Sequence, residues 1–101
     1  MTDCYEDRLA ALRKRFLDRA TIDAKALEGI ALELEAGPQR AQAQQRIRRI
    51  AHSLAGAGGT FGFASLSLCA TKLEEFVSDV SDSPDLADAC RALIAEIRST
   101  A

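Results

Sequence analysis

Tryptophan is absent from this 101-residue chain, tyrosine occurs once and phenylalanine four times, so aromatics make up only 5%. β-Branched residues are sparse too, while Ala and Leu abound, a balance that favours packed helices over sheets. Two prolines leave long stretches without a breaker. Cys4, Cys69 and Cys90 form no CxxC pair, and the single histidine, His52, cannot complete a zinc set with them. Cys69 and Cys90 are therefore read as small core residues of a reduced protein. Nowhere do about 18 apolar residues run together, which excludes a spanning helix. The opening MTDCYEDRLAALRKRF is charged throughout and has no apolar signal segment. A net charge of −2 argues against a surface that tracks nucleic acid as a whole. The expectation is a soluble, cytoplasmic, monomeric domain with no membrane or nucleic-acid partner and no metal of its own. Residues 1–101 are read as one stand-alone domain, enough for a core that buries roughly 60–68% of the unfolded surface.

What is present is helical periodicity. Tyr5, Leu9, Leu12 and Phe16 recur at steps of four and three, predicting an amphipathic helix over about Asp3 to Asp18. Arg8, Arg13, Lys14, Arg15 and Arg19 make it basic, read as a solvated face. Thr21 and Asp23 look like an N-cap that restarts or bends the helix. No Pro or Gly lies between Asp3 and Glu28, so one bent helix and two helices both remain open. Ala26, Leu27, Ile30, Ala31 and Leu34 continue the stripe. Gly37-Pro38 breaks it. A second helix starts near Gln39, and the glycines between Gly59 and Phe63 predict a turn. Leu66, Cys69, Leu73, Phe76 or Val77, and Val80 mark a third helix over about Ala64 to Ser81. Ser83-Pro84-Asp85 is a helix start, and Leu86, Cys90, Leu93, Ile94 and Ile97 form the last buried stripe. No stretch alternates with period two. The expected fold is all-α: an antiparallel up-and-down four-helix bundle with an additional N-terminal helix.

The residues of chemical interest lie in RRIAHSLAGAGGTFGF, Arg48 to Phe63. On a wheel of about 100° per residue, Ile47, Ile50, Leu54, Ala57 and Phe61 fall within about 60° of the side opposite His52, with Ala51 and Gly58 on the flank. The histidine's own side carries Gln45, Arg48, Arg49, Ala55, Gly56 and Gly59. His52 therefore faces away from the core. Gly56 and Gly59 each cost a helix interior roughly 1 kcal/mol relative to Ala. Close packing of a neighbouring helix would account for Gly58 or Gly62, but not for glycines on an outward stripe. An exposed imidazole can be a ligand, a general base or a nucleophile. Co-ligands and a deep cleft are both missing. A nucleophile acting on a group brought by a partner needs neither.

The run from His52 through Gly56, Gly59 and Gly62, with Leu66, Leu73 and Glu74 downstream, resembles the histidine phosphotransfer (HPt) domain. The motif covers Ala51 to Glu75. The resemblance implies a phosphorelay intermediate of two-component signal transduction, with His52 as phosphoacceptor. The group would come from a receiver-domain aspartate and pass to another receiver, on response regulators or hybrid histidine kinases. The resemblance further implies that Gly56 and Gly59 clear the docking surface. Glu74 would orient the ring, holding the proton on Nδ1 and leaving Nε2 as nucleophile. No cofactor is implied for this chain: Mg²⁺ belongs to the partner receiver, and the domain is a stoichiometric carrier without an ATP site. Family members usually place Lys three residues after the histidine, where this chain has Ala55. Arg48, Arg49 and Lys72 are candidates to balance the phosphoryl charge instead. Leu68 points away from the core stripe of its helix and is a candidate anchor for the partner.

Three rival readings differ in the residues they require. A sensor-kinase dimerisation helix would have an acid directly after the histidine, where Ser53 stands. A nucleotide-binding glycine loop needs a preceding strand and a glycine pattern that Phe61 interrupts. A helical adaptor that binds receivers without phosphotransfer stays open because of Ala55.

Overall fold

The computed structural model describes residues 3–36, 40–79 and 85–101. They form four helices and no strand: α1 (Asp3–Ala36), α2 (Arg40–Thr60), α3 (Ala64–Asp79) and α4 (Asp85–Thr100). Packing closes in a ring in which α1 meets α2, α2 meets α3, α3 meets α4 and α4 meets α1. Pairs run in opposite directions: Arg13 reaches Phe61 while Glu33 reaches Arg46, and Ser67 meets Ala55 while Glu74 meets His52. This is the antiparallel bundle expected from helices joined by short connections. The breaks at Gly37-Pro38 and Ser83-Pro84 lie outside the described residues.

The N-terminal segment is one helix of 34 residues, so the additional helix is the leading part of α1. Thr21 and Asp23 do not cap anything. The Thr21 hydroxyl donates to the Leu17 carbonyl at 2.9 Å, one turn back in its own helix. Asp23 stays within the helix, 3.9 Å from Arg19. Burial pushes its carboxyl above the ordinary range, and the Arg19 guanidinium opposes that shift. Both side chains thus find partners inside the helix, which removes the competition that would have ended it. The buried face runs on through Phe16, Ala20, Ala24, Leu27 and Ile30.

A 34-residue helix spans about 51 Å at 1.5 Å per residue, and the molecule measures 55 × 21 × 20 Å. The shorter helices cannot cover all of α1. Tyr5 is 72% and Leu12 43% exposed, and nothing from Tyr5 to Arg15 is buried. The leading half of the predicted Tyr5–Phe16 stripe is therefore uncovered.

Phe16 is where α1 meets the bundle. Its ring stacks on Phe63 at 5.3 Å between centroids and tilts against Phe61 at 5.9 Å. Arg13 departs from the solvated-face reading, because its Nε donates to the Phe61 carbonyl at 3.0 Å. The α2–α3 turn is a left-handed helix cap. Phe63 N–H donates to the Gly58 carbonyl, Gly62 N–H to that of Gly59, and Gly62 has φ +86°. Gly62 is thus a conformational glycine, not a packing one. Gly58 is the packing glycine: a Cβ there would meet Leu66 Cδ2, Ser67 Cβ and Ser67 N, each at 3.4 Å.

Larger residues fill the core centre, and alanines fill the seams. Leu27, Ile30, Ile47, Leu66, Leu73, Leu86, Leu93 and Ile97 are almost fully buried, as are Ala20, Ala24, Ala43, Ala51 and Ala70. The α4 stripe is buried as predicted, Cys90 included, and burial pushes its thiol up to about 11. On α3 the buried set is Leu66, Ala70, Leu73 and Val77, and Cys69 and Phe76 sit half-buried on the flank. On α2, likewise, Ala51 and Gly58 are buried while Ile50, Ala57 and Phe61 are half-buried. Where helices approach closely, small side chains take the contact line and larger ones splay beside it.

Candidate functional site

His52 lies on α2 beside the α2–α3 seam, with its side chain 77% exposed. Its Nδ1 is 2.6 Å from Oε2 of Glu74 on α3, whose side chain is 29% exposed. An ionised carboxylate can only accept, so the contact suits the tautomer that carries its proton on Nδ1. In that tautomer Nε2 has the free lone pair, on a ring that is open to solvent. The sequence pairing of His52 with Glu74 is thus realised in space.

The register behind that contact comes from three features. Gly58 lets the backbone of α3 come close. The Ser67 hydroxyl of α3 donates to the Ala55 carbonyl of α2 at 2.7 Å. Leu73, next to Glu74, is buried and leaves the carboxylate on the seam's outer edge. Ser67 escaped the sequence reading, since a serine between two leucines carries no sign that it will bond across a helix pair.

The glycines divide by role. A Cβ on Gly56 would meet nothing within 4 Å, and its φ is not positive. Neither packing nor conformation requires a glycine there. Gly59 is exposed, but a Cβ would touch Ser67 Oγ at 3.5 Å, so it also borders the seam. Ala55, in the place where the resemblance leads one to expect Lys, is half-buried against the core.

Arg48 and Arg49 are exposed and line one open depression with Gln45, His52 and Glu74. Gln45, which the wheel puts on the histidine's side without giving it a role, lies two turns before His52 on that stripe. Lys72 is exposed on α3 but does not line that depression. It lies near enough to Cys69 to pull its thiol down, against the larger upward push of burial. Leu68 is 57% exposed on α3, an apolar side chain left to solvent as the wheel predicted. Among the described residues no three His, Cys, Asp or Glu side chains group as a metal site, and no helix is long and apolar enough to cross a membrane.

The family model of the Hpt domain matches residues 11–100. No curated protein and no solved structure gives a significant match. The match takes in all of α2, α3 and α4, and on α1 it starts inside the uncovered leading turns. A four-helix bundle, an outward histidine tied across the seam to a carboxylate, and a family match over nearly the whole chain agree: the chain belongs to the Hpt domain family, whose activity is histidine phosphotransfer in phosphorelay signalling.

Proposed function

We propose that residues 1–101 act as a single phosphorelay carrier in which His52 takes a phosphoryl group from the aspartyl phosphate of one receiver domain and hands it to the aspartate of another. The observation that carries this reading is the 2.6 Å contact from Nδ1 of an exposed imidazole to Glu74. In the forward step the Nε2 lone pair attacks phosphorus, and an N–P bond forms as the aspartyl P–O bond breaks. The receiver's carboxylate leaves with that electron pair. The Nδ1 proton stays in place, held by Glu74, which stabilises the positive charge that builds on the ring. The return step reverses these changes. Such a transfer asks the protein mainly for positioning and charge compensation. The acidic pocket and its Mg²⁺ belong to the receiver, and this chain needs no ATP site.

Gly56 and Gly59, with Ala55 beside them, form the low part of the docking surface. Leu68 offers an apolar contact. Arg48, Arg49 and Lys72 form a basic rim that suits an acidic pocket and speeds encounter more than it adds affinity. Mixing the protein with a phosphorylated receiver tests the reading. Acid-labile, base-stable phosphate should appear on His52 and leave on addition of a second receiver. Receiver binding without any label would favour the adaptor reading.

Two substitutions probe the parts. Glu74→Ala should slow transfer by roughly ten- to a hundredfold without abolishing it, the range seen when a carboxylate that orients a metal-bound histidine is removed. Glu74→Gln should be milder, since its amide oxygen can still accept from Nδ1. Rapid-quench transfer rates check this, and an unchanged rate in Glu74→Ala would show that the ring needs no orienter. Gly56→Ala should stabilise the fold by about 0.5–1 kcal/mol, because it gains helix propensity in open space. The same methyl would stand in the docking surface and slow transfer from a receiver. Thermal unfolding and transfer rates should therefore move in opposite senses.

A further inference from the structure

A phosphoryl group on Nε2 brings two negative charges to a ring whose other nitrogen already faces a carboxylate. Some cation must offset this. In an α-helix side chains lean toward the N-terminus, so the space over which His52 projects is shared with residues one turn before it. Those residues are Arg48 and Arg49. One turn after it come Ala55 and Gly56, which carry no charge.

The same two arginines line the depression around His52 and Glu74, and Lys72 does not. They are also uncommitted: neither makes a hydrogen bond or ion pair among the described residues. Other arginines are engaged in holding the bundle together. Arg13 bonds the Phe61 carbonyl, Arg46 pairs with Glu33, and Arg98 pairs with Glu28. A guanidinium is charged at any working pH and presents its N–H donors in a planar fork that matches phosphate oxygens.

From this we infer that Arg48 and Arg49 anchor the phosphoryl group on His52, their N–H donors meeting the phosphoryl oxygens once the N–P bond has formed. The inference rests on His52 being the phosphoacceptor. It assigns the two arginines a part in the chemistry itself, separate from steering a receiver. The phosphoryl charge is then balanced from the N-terminal side of α2, and the glycine side stays uncharged and low for the partner.

Phosphoramidate, a small phosphodonor, separates the two roles because no receiver takes part. The wild-type protein should become labelled on His52. The double variant Arg48→Ala/Arg49→Ala should label roughly ten- to a hundredfold more slowly, and its phosphohistidine should turn over at a changed rate. The double Lys variant should recover most of the rate, since the charge is kept and only the fork is lost. Both variants should melt with the wild type, as both side chains are exposed. Equal labelling of the double Ala variant and the wild type would overturn the anchoring role and leave His52 as acceptor. Slower transfer from a receiver with unchanged phosphoramidate labelling would overturn it as well, because the arginines would then serve docking alone. A wild type that takes no label at His52 from either donor would overturn the phosphoacceptor reading and this inference with it.

Discussion

His52→Gln should fold with the melting behaviour of the wild type and take no phosphoryl group from any receiver. The fold should survive because the ring is 77% exposed and fills no part of the core. Its recorded polar partner is Glu74, and the glutamine amide can donate to that carboxylate in its place. The chemistry should vanish entirely, because an amide nitrogen has no lone pair free to attack phosphorus. The loss is all-or-none, unlike the graded loss in Glu74→Ala, and this contrast separates the nucleophile from the group that orients it. Label retained on His52→Gln after incubation with a phosphorylated receiver would end the assignment of His52. A lowered melting temperature would mean that the ring contributes to packing that its exposure does not suggest.

The second large effect lies out of reach of the histidine. Gly58→Leu should destabilise the protein by about 3 kcal/mol, the upper part of the range for overpacking a close contact. For a domain of this size that lowers the melting temperature by roughly 10 °C or more. Even a Cβ at this position sits 3.4 Å from Ser67 N, which is backbone and cannot rotate away, and from Leu66 Cδ2 and Ser67 Cβ. A leucine would push α3 off α2. The Ser67–Ala55 bond and the His52–Glu74 contact both span that seam, so transfer should fall along with stability. Gly56, two residues earlier, should respond in the opposite way, since a methyl there meets open space. Thermal unfolding of the two variants side by side is the check. A Gly58→Leu protein that melts with the wild type would show a seam far looser than 3.4 Å implies.

Much of this arrangement was legible along the chain. The α4 stripe, the turn at Gly62 and the outward direction of His52 all follow from residue order, because they depend on the period of a single helix and on glycine's access to positive φ. The misreadings have a common origin. On α3 the spacing puts Cys69 in the core stripe and leaves Phe76 and Val77 as alternatives, yet the seam takes Ala70 in place of Cys69 and Val77 over Phe76. Thr21 and Asp23 have the chemistry of a cap, and only their actual partners, Leu17 O and Arg19, reveal them as residues within a helix. Arg13 looked like one of several solvated charges until the turn carrying Phe61 O was brought beside it.

The sequence by itself determined the class of the fold, the face on which the histidine stands and the chemistry available to it. The first rests on composition and the periodicity of every helix, the second on spacing along α2, and the third on the imidazole itself. Only the tertiary structure decided how close α3 comes to α2, which serine braces the seam, and that Lys72 stays outside the histidine's depression. Spacing already favours Arg48, one turn before His52 on the same stripe, over Arg49 and Lys72. Of the three, two lie on the helix of His52 within a turn of it, and the third lies on α3 outside the depression. Charge is written in the residue, but the distance over which it acts is set by how two helices pack.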